Sequence, residues 1–406
     1  MTLDQIIKSK ALPSFCTSNI DVIESILFFC NIKKLPCLIE STSNQVNQHG
    51  GYTNKTPKMF VKEISNLRKK IKFNSKRLFL GGDHLGPLPW NKKSNDIAIK
   101  NSVLLINAYL NENFCKIHLD TSIKCKNDKY INSEIVFNRT NEILNNVNIK
   151  KKIKDRFLVV GTEVPLAGGG DNKNIIRTST KQIETEVFNF KKIFQKLNLK
   201  NRFFGLVIEP GMKYEHSTIT KPNFTQFDNK KKISEKNNFF YEAHSTDYQS
   251  KTILKQLVKN NFRFLKVGPE LTYNYARSLF FMENIEKKKI KLKNSNIKNT
   301  IFSSMLKNKK YWDGYYIKKK PELFLNSKLD RMRYYFDTKE VRNSVGTLKK
   351  NINLLDKKNI VCFMDLATKK EFLNFSKRKL SNFNIIKLIF ISKTLKKYFS
   401  SCGYKI

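Results

Sequence analysis

What most restricts the folding of this chain is a recurrence: seven short β-branched or aromatic runs, each stopping on polar or ionisable residues. They are "LPCLIEST" (35–42), "RLFLGGDH" (77–84), "KIHLDTS" (116–122), "FLVVGTEVP" (157–165), "FGLVIEPG" (204–211), "FYEAHS" (240–245) and "RFLKVGP" (263–269). The segments between them are long enough for a helix. "TPKMFVKEISNLRKKIK", for example, offers Thr56 as an N-cap and Pro57 at the first helical position. Strand, helix and strand repeating every 40 residues or so predict βα units with right-handed crossovers and a parallel sheet. The fold class expected is therefore α/β, a (β/α)8 TIM barrel. "RMRYYF" (331–336) is assigned as the eighth strand, after a Lys-rich helical insertion at about 280–328. Helical spacing in "NSVGTLKKNINLLDKK" and "KLIFISKTLKKYF" predicts a C-terminal helical appendage. The expected division is a barrel domain over 1–337 and an appendage over 338–406.

In a parallel barrel every strand ends on the same face, so residues far apart in sequence become one ring. Here the ring would hold Glu40, Asp83, His84, Asp120, Glu163, Glu209, His244 and Lys266 with Gly268. The strand bodies before these ends are apolar, as burial on both faces requires. A length of 406 residues accommodates such a barrel with additions. The 77 Lys and Arg against 34 Asp and Glu, a formal charge of +43, raise the question of nucleic acid. The cations are mostly Lys in scattered KK and KKK runs, whereas base readout favours Arg in a localised stripe, so no specific nucleic-acid partner is expected. Lys, Asn, Ile and Phe share A/T-rich codons, which accounts for the composition, and steering of phosphorylated substrates is the next explanation. Seven cysteines without a CxxC pair fit reduced intracellular thiols. No apolar run approaches 18 residues and "MTLDQIIKSK" lacks an h-region, so a cytoplasmic protein with no membrane partner is expected.

Several constellations carry chemistry. "GGDHLGP" presents Asp83 and His84 at a rim where one could ligate a metal while the other moves a proton. "HLDTS" places His118 and Asp120 on one side of a strand, with Asp120 the better candidate for the site and His118 as a buried layer residue. His84, Glu163 and His244 together suit a divalent metal, with Glu209 of "IEPG" a further carboxylate. The assignment taken is His84, His244 and Glu209 as metal ligands, and Asp83, Glu163 and Asp120 as catalytic groups. The glycines at 168–170 are not followed by GK[ST], so no nucleotide cofactor is expected. The loop "IESTSNQVNQHGGYT" (39–53) supplies Asn44, Gln45, Asn47 and Gln48 for sugar hydroxyls, and Gly51 for close folding. Ser245, Lys266, Arg331 and Arg333 complete the substrate-binding set, with phosphate held near strands seven and eight. For Lys266 a phosphate contact, a layer-filling ion pair and a Schiff base all stay open.

The ordered set "IESTSNQVNQHGGYT", "GGDHLGP", "KIHLDTS", "GTEVP", "EAHSTDYQ", "LKVGP" and "DRMRYY" resembles the GatZ/KbaZ family over about residues 20–345. Its members are second subunits of class II D-tagatose-1,6-bisphosphate aldolase, and some carry the label tagatose 6-phosphate kinase. The resemblance implies a barrel akin to class II aldolases and a chain without aldolase activity alone, needed for full activity and stability of a catalytic class II aldolase subunit. It further implies zinc chemistry, with Asp83 in proton transfer and His84 on the ion, and a phosphorylated ketohexose as ligand. The chain departs from the family pattern at His49, Leu88, Pro89 and Glu270. The expected function is thus an accessory aldolase subunit. The alternative is a stand-alone divalent-metal-dependent ketose-phosphate 4-epimerase or aldolase-type lyase.

Overall fold

The computed structural model describes residues 2–147, 156–162, 177–199, 204–225, 227–291, 293–316 and 320–406. Eight parallel strands close into a barrel in chain order: β1 (Leu12–Cys16), β2 (Cys37–Thr42), β3 (Leu78–Leu85), β4 (Lys116–Leu119), β5 (Phe157–Val160), β6 (Phe204–Val207), β7 (Phe239–Ala243) and β8 (Phe262–Val267). The ring is shut by β1, whose Leu12 pairs with Phe264 of β8 and whose Ser14 pairs with Leu38 of β2. Nearly every strand residue is buried, the double-sided burial that parallel staves require. Thr56 caps the helix Pro57–Ile71 through its side chain, with Pro57 in the first turn.

The barrel is the expected one, but its eighth stave is not where the sequence placed it. Residues 331–336 are not a strand. Arg331–Tyr335 winds into a 3-10 turn entered through Asp330 at φ 49°. "RMRYYF" has no β-branched residue, and the Arg333 guanidinium donates back to the Leu329 and Asp330 carbonyls at 2.6 and 2.9 Å, local bonds that hold the chain coiled. The missing stave is β1, "LPSFC", whose Pro13 and Ser14 dilute a strand signal. The Lys-rich region around 280–328 accordingly follows the last strand, as helices Pro269–Lys289, Ile297–Lys307 and Pro321–Asn326.

The end of the chain returns to the barrel. Helix Asn382–Ser401 packs between helix Lys251–Lys259 and helix Ile20–Ile32, touches β1, and runs alongside Pro269–Lys289. It fills the slot that closes the outer ring of helices. Its Phe399 packs at a tilt against Phe15 of β1 and stacks on Phe29, at ring centroid separations of 5.6 and 6.3 Å. The helix buries Phe383, Ile385, Ile386, Leu388, Ile389, Ile391, Leu395, Tyr398 and Phe399. At roughly 1.5–3 kcal/mol for each large apolar side chain, this single helix contributes on the order of 15 kcal/mol. That is as large as the whole net stability of a typical domain. Deletion of residues 381–406 is therefore expected to abolish cooperative thermal unfolding followed by circular dichroism and to leave the chain insoluble. A soluble truncated chain melting near the full-length temperature would contradict the packing described.

Candidate functional site

The alternation of a strand, with every second side chain on one face, builds the barrel interior in levels. Phe157, Phe240 and Phe264 meet at the lowest, with ring centroids 4.9–5.7 Å apart. Above them lies an ion layer, in which Lys116 Nζ sits 2.6 Å from Glu40 Oε1 and 2.7 Å from Glu242 Oε2 with all three side chains fully buried. Gly81 makes room for it, since a Cβ there would come within 2.9 Å of the Glu40 carboxylate. One ammonium shared between two carboxylates splits their behaviour. Burial pushes the Glu40 carboxyl up to about 7 despite Lys116. Burial would raise Glu242 as well, yet Lys116 and His244 hold it below the usual carboxylate range. The next step outward on each strand is the site: His118 and Asp120 after Lys116, His244 after Glu242, Lys266 after Phe264, and Asp83 after Gly81.

At that level three imidazoles form a triangle, with His84, His118 and His244 ring centroids each 5.0 Å from the other two. Asp83, His84, His118 and His244 bring one ligand atom each within 4.8 Å of one another, all of them buried. His84 adopts φ 47°, an uncommon conformation that turns its ring inward at the end of β3. Its Nδ1 is 2.7 Å from Asp120 Oδ2, and His244 Nε2 is 2.9 Å from Glu242 Oε1. Each carboxylate thereby fixes the proton on one ring nitrogen and leaves the other, His84 Nε2 or His244 Nδ1, as a lone-pair donor, the usual arrangement behind a metal-binding histidine. His118 Nδ1 lies 2.8 Å from Asp83 Oδ1, and its buried Nε2 has no hydrogen-bond partner among the described residues. Such an orphaned donor beside two tautomer-fixed imidazoles and a carboxylate fits a divalent ion.

Burial disfavours ionised Asp83, but His84 and Lys266 hold its carboxyl well below the usual range. Burial lowers both His118 and His244, keeping them neutral as ligands must be. Asp120, bonded to His84 and to the Ser122 amide and hydroxyl, is held down at about 2 against the opposing effect of burial. It stands behind His84 and is absent from the pocket lining, so the structure gives it an orienting position. Glu209, 8% exposed, does not join the four-donor group, and its backbone is tied to Thr178. Glu163 and the glycines at 168–170 lie outside the described residues. The candidate ligand that the sequence reading passed over is His118. Its spacing of two from both Lys116 and Asp120 was the available signal.

The cluster opens on a pocket lined in part by Asn44, Gln45, Ser245, Lys266 and Arg333. Asn47 and Gln48 are not in that lining. Asn47 Oδ1 accepts from the His49 and Gly51 amides, and Gln48 donates to the Asn101 carbonyl, so these two amides hold the loop's own shape. Gly51 is required there, because φ is 58° and a Cβ would meet the Gln45 carbonyl at 2.4 Å. Arg331 is also off the lining, its guanidinium 3.3 Å from the Tyr315 ring centroid. Tyr52 and Tyr334, with ring centroids 4.8 Å apart, form an aromatic wall beside Arg333, of which sequence reasoning missed Tyr52. The departures His49, Leu88, Pro89 and Glu270 avoid the pocket lining. Glu270 instead accepts from the Tyr248 amide and pairs with Lys397 at 2.6 Å, fastening the loop after β7 to the C-terminal helix. Tyr398 donates to the Thr246 carbonyl of the same loop at 2.8 Å.

Comparison with known proteins adds the following. A family described as D-tagatose-1,6-bisphosphate aldolase subunit GatZ/KbaZ-like matches residues 3–403. The D-tagatose-1,6-bisphosphate aldolase subunit GatZ of Escherichia coli O6:K15:H31 (strain 536 / UPEC) is 35% identical over 356 residues, covering 84% of this chain and 85% of its own. The GatZ subunit of Shigella boydii serotype 18 (strain CDC 3083-94 / BS512) is 34% identical with the same coverage. Among solved structures, a probable tagatose 6 phosphate kinase from Sinorhizobium meliloti 1021 superposes with a TM-score of 0.84 at 25% identity, over 97% of this chain and 100% of that one. The fructuronate-tagaturonate epimerase UxaE from Cohnella laeviribosi shares the fold, with a TM-score of 0.52 at 12% identity over 98% and 82% of the two chains.

Two outcomes are expected from this geometry. Lys116→Met leaves two buried carboxylates without their shared cation and should cost about 3–5 kcal/mol in urea unfolding. Asp330, fully buried beside Thr272, is pushed up to about 7, burial being the largest cause. Folding thus favours its protonated form, and the associated stability is present below pH 4 or so and lost as pH rises through about 7. Asp330→Asn, neutral and tolerant of φ 49°, should gain about 1–3 kcal/mol at pH 8 and close to nothing at pH 4 in paired urea melts.

Proposed function

Since the chain belongs to the GatZ/KbaZ-like family of D-tagatose-1,6-bisphosphate aldolase subunits, we propose that it is the accessory subunit of such an aldolase. In this role it supports the activity and stability of a separate catalytic class II aldolase subunit, in carbohydrate catabolism of the tagatose 6-phosphate and galactitol type. The observation that carries this reading is the family match running from residue 3 to residue 403. The ligand proposed for the pocket is a phosphorylated ketohexose and the proposed compartment is the cytoplasm. No helix among the described residues is long and apolar enough to cross a membrane.

A second reading rests on one specific feature, the four-donor cluster opening on a polar pocket. On this reading the chain is itself a divalent-metal-dependent ketose-phosphate 4-epimerase or aldolase-type lyase. His84, His118 and His244 would hold the ion, with zinc proposed from the imidazole donors, while Asp120 and Glu242 keep two of the rings in register. When bound, the ion would polarise a carbonyl or hydroxyl oxygen of the sugar. Asp83, ionised and at the edge of the pocket, is placed to take up and return a proton. Asn44 and Gln45 would meet sugar hydroxyls, and Arg333 would meet phosphate.

The two readings part in one set of assays. The purified chain alone is expected to show no cleavage of tagatose 1,6-bisphosphate, and to raise the rate or prolong the half-life of a class II aldolase partner when mixed with it. Robust cleavage or 4-epimerisation by the chain alone, lost in Asp83→Asn and His84→Ala, would transfer the assignment to the second reading.

A further inference from the structure

We propose that Lys266 is a built-in rival of the divalent ion, its ammonium occupying the coordination space of the cluster and having to withdraw before an ion can load. This inference rests on the second reading above, in which His84, His118 and His244 hold an ion beside Asp83. The geometry behind it is direct. Lys266 Nζ lies 2.5 Å from Asp83 Oδ1 and 3.3 Å from His244 Nδ1, so one cation already faces two of the four candidate donors. His244 Nδ1 is the nitrogen that Glu242 leaves unprotonated, and a lysine N–H is a good donor to it. The side chain reaches this position because Phe264 and Lys266 share the inward face of β8, and it is 9% exposed. A zinc or similar ion bonded to His244 Nδ1 at about 2.0–2.1 Å would lie within roughly 5.5 Å of that ammonium. Two positive charges so close in a buried site repel strongly, because little solvent screens them.

The arrangement also bears on how Asp83 is accommodated when no ion is bound. Asp83 is fully buried, and with no cation its carboxylate would be uncompensated. Lys266 supplies that compensation from inside the fold, which an ion-dependent structural site would lack. Tight metal binding and an intact Asp83–Lys266 pair are therefore alternatives. The wild-type chain should be a weak metal binder with a site that is chemically complete.

The test measures zinc affinity by titration calorimetry on the metal-stripped full chain. Lys266→Met should bind at least tenfold more tightly than wild type, equivalent to about 1.4 kcal/mol, whereas Lys266→Arg should gain nothing. Lys266→Gln, neutral and polar, serves if the methionine variant does not fold. On the wild-type chain, reductive methylation read by mass spectrometry should label Lys266 faster once zinc is added. Equal or weaker zinc binding in the neutral variants, or labelling of Lys266 indifferent to zinc, overturns the rivalry while leaving the metal centre in place. No zinc binding by any variant overturns both.

Discussion

Inside the barrel, fully buried Lys116 holds Glu40 and Glu242 together, and the site above is assembled on that triad. Glu242 uses one oxygen for Lys116 and the other for His244, so the charge that anchors the floor also sets which imidazole nitrogen faces the centre. Glu40 extends across the space above Gly81, which precedes Asp83 by two residues on the same strand. Lys116 itself is two residues from His118 on the same strand. A hydrophobic layer of the same volume would be cheaper to bury, but it could not fix a tautomer. The ion layer thus trades stability for definition of the groups above it.

Much of this was legible because a barrel converts strand ends into neighbours. Seven of the eight staves, the rim face, and the convergence of Asp83, His84, His244 and Lys266 follow from apolar runs that stop on polar residues. β1 escaped notice because Pro13 and Ser14 interrupt its apolar character, and the barrel was then closed with "RMRYYF", whose bulky alternation hides an Arg333 bonded to its own turn. His118 was within reach of the strand period, since Lys116, His118 and Asp120 share one face, but a single histidine gives no measure of its distance to two others. Asn44 and Gln45 differ from Asn47 and Gln48 only in which way a loop turns, and that is decided by the backbone at Gly51. Glu270 shows the same limit: as a carboxylate near a site it looks functional, whereas its partners are Lys397 and a backbone amide.

The loop after β7 is held from two directions. Its residues Ser245 and Tyr248 adopt φ of 52° and 63°, conformations costly for side chains of that kind. Tyr398 and Lys397 of the C-terminal helix secure it through Thr246 and Glu270. The pocket wall that carries Ser245 therefore depends on residues more than a hundred positions away, and the helix that completes the outer ring is also a brace for the site.

That bracing sets an order of events during synthesis. β1 is made early, yet its neighbour β8 lies some 250 residues later, and the helix that covers Phe15 ends at Ser401. Contacts so distant in sequence form slowly and leave apolar surface uncovered in the meantime. Until residue 267 has been made the nascent chain carries an open barrel, and until residue 401 a bare flank along β1 and helix Ile20–Ile32. A growing polypeptide of this design is exposed to aggregation for nearly its whole passage off the ribosome, and its last apolar flank is covered only when the terminal helix docks.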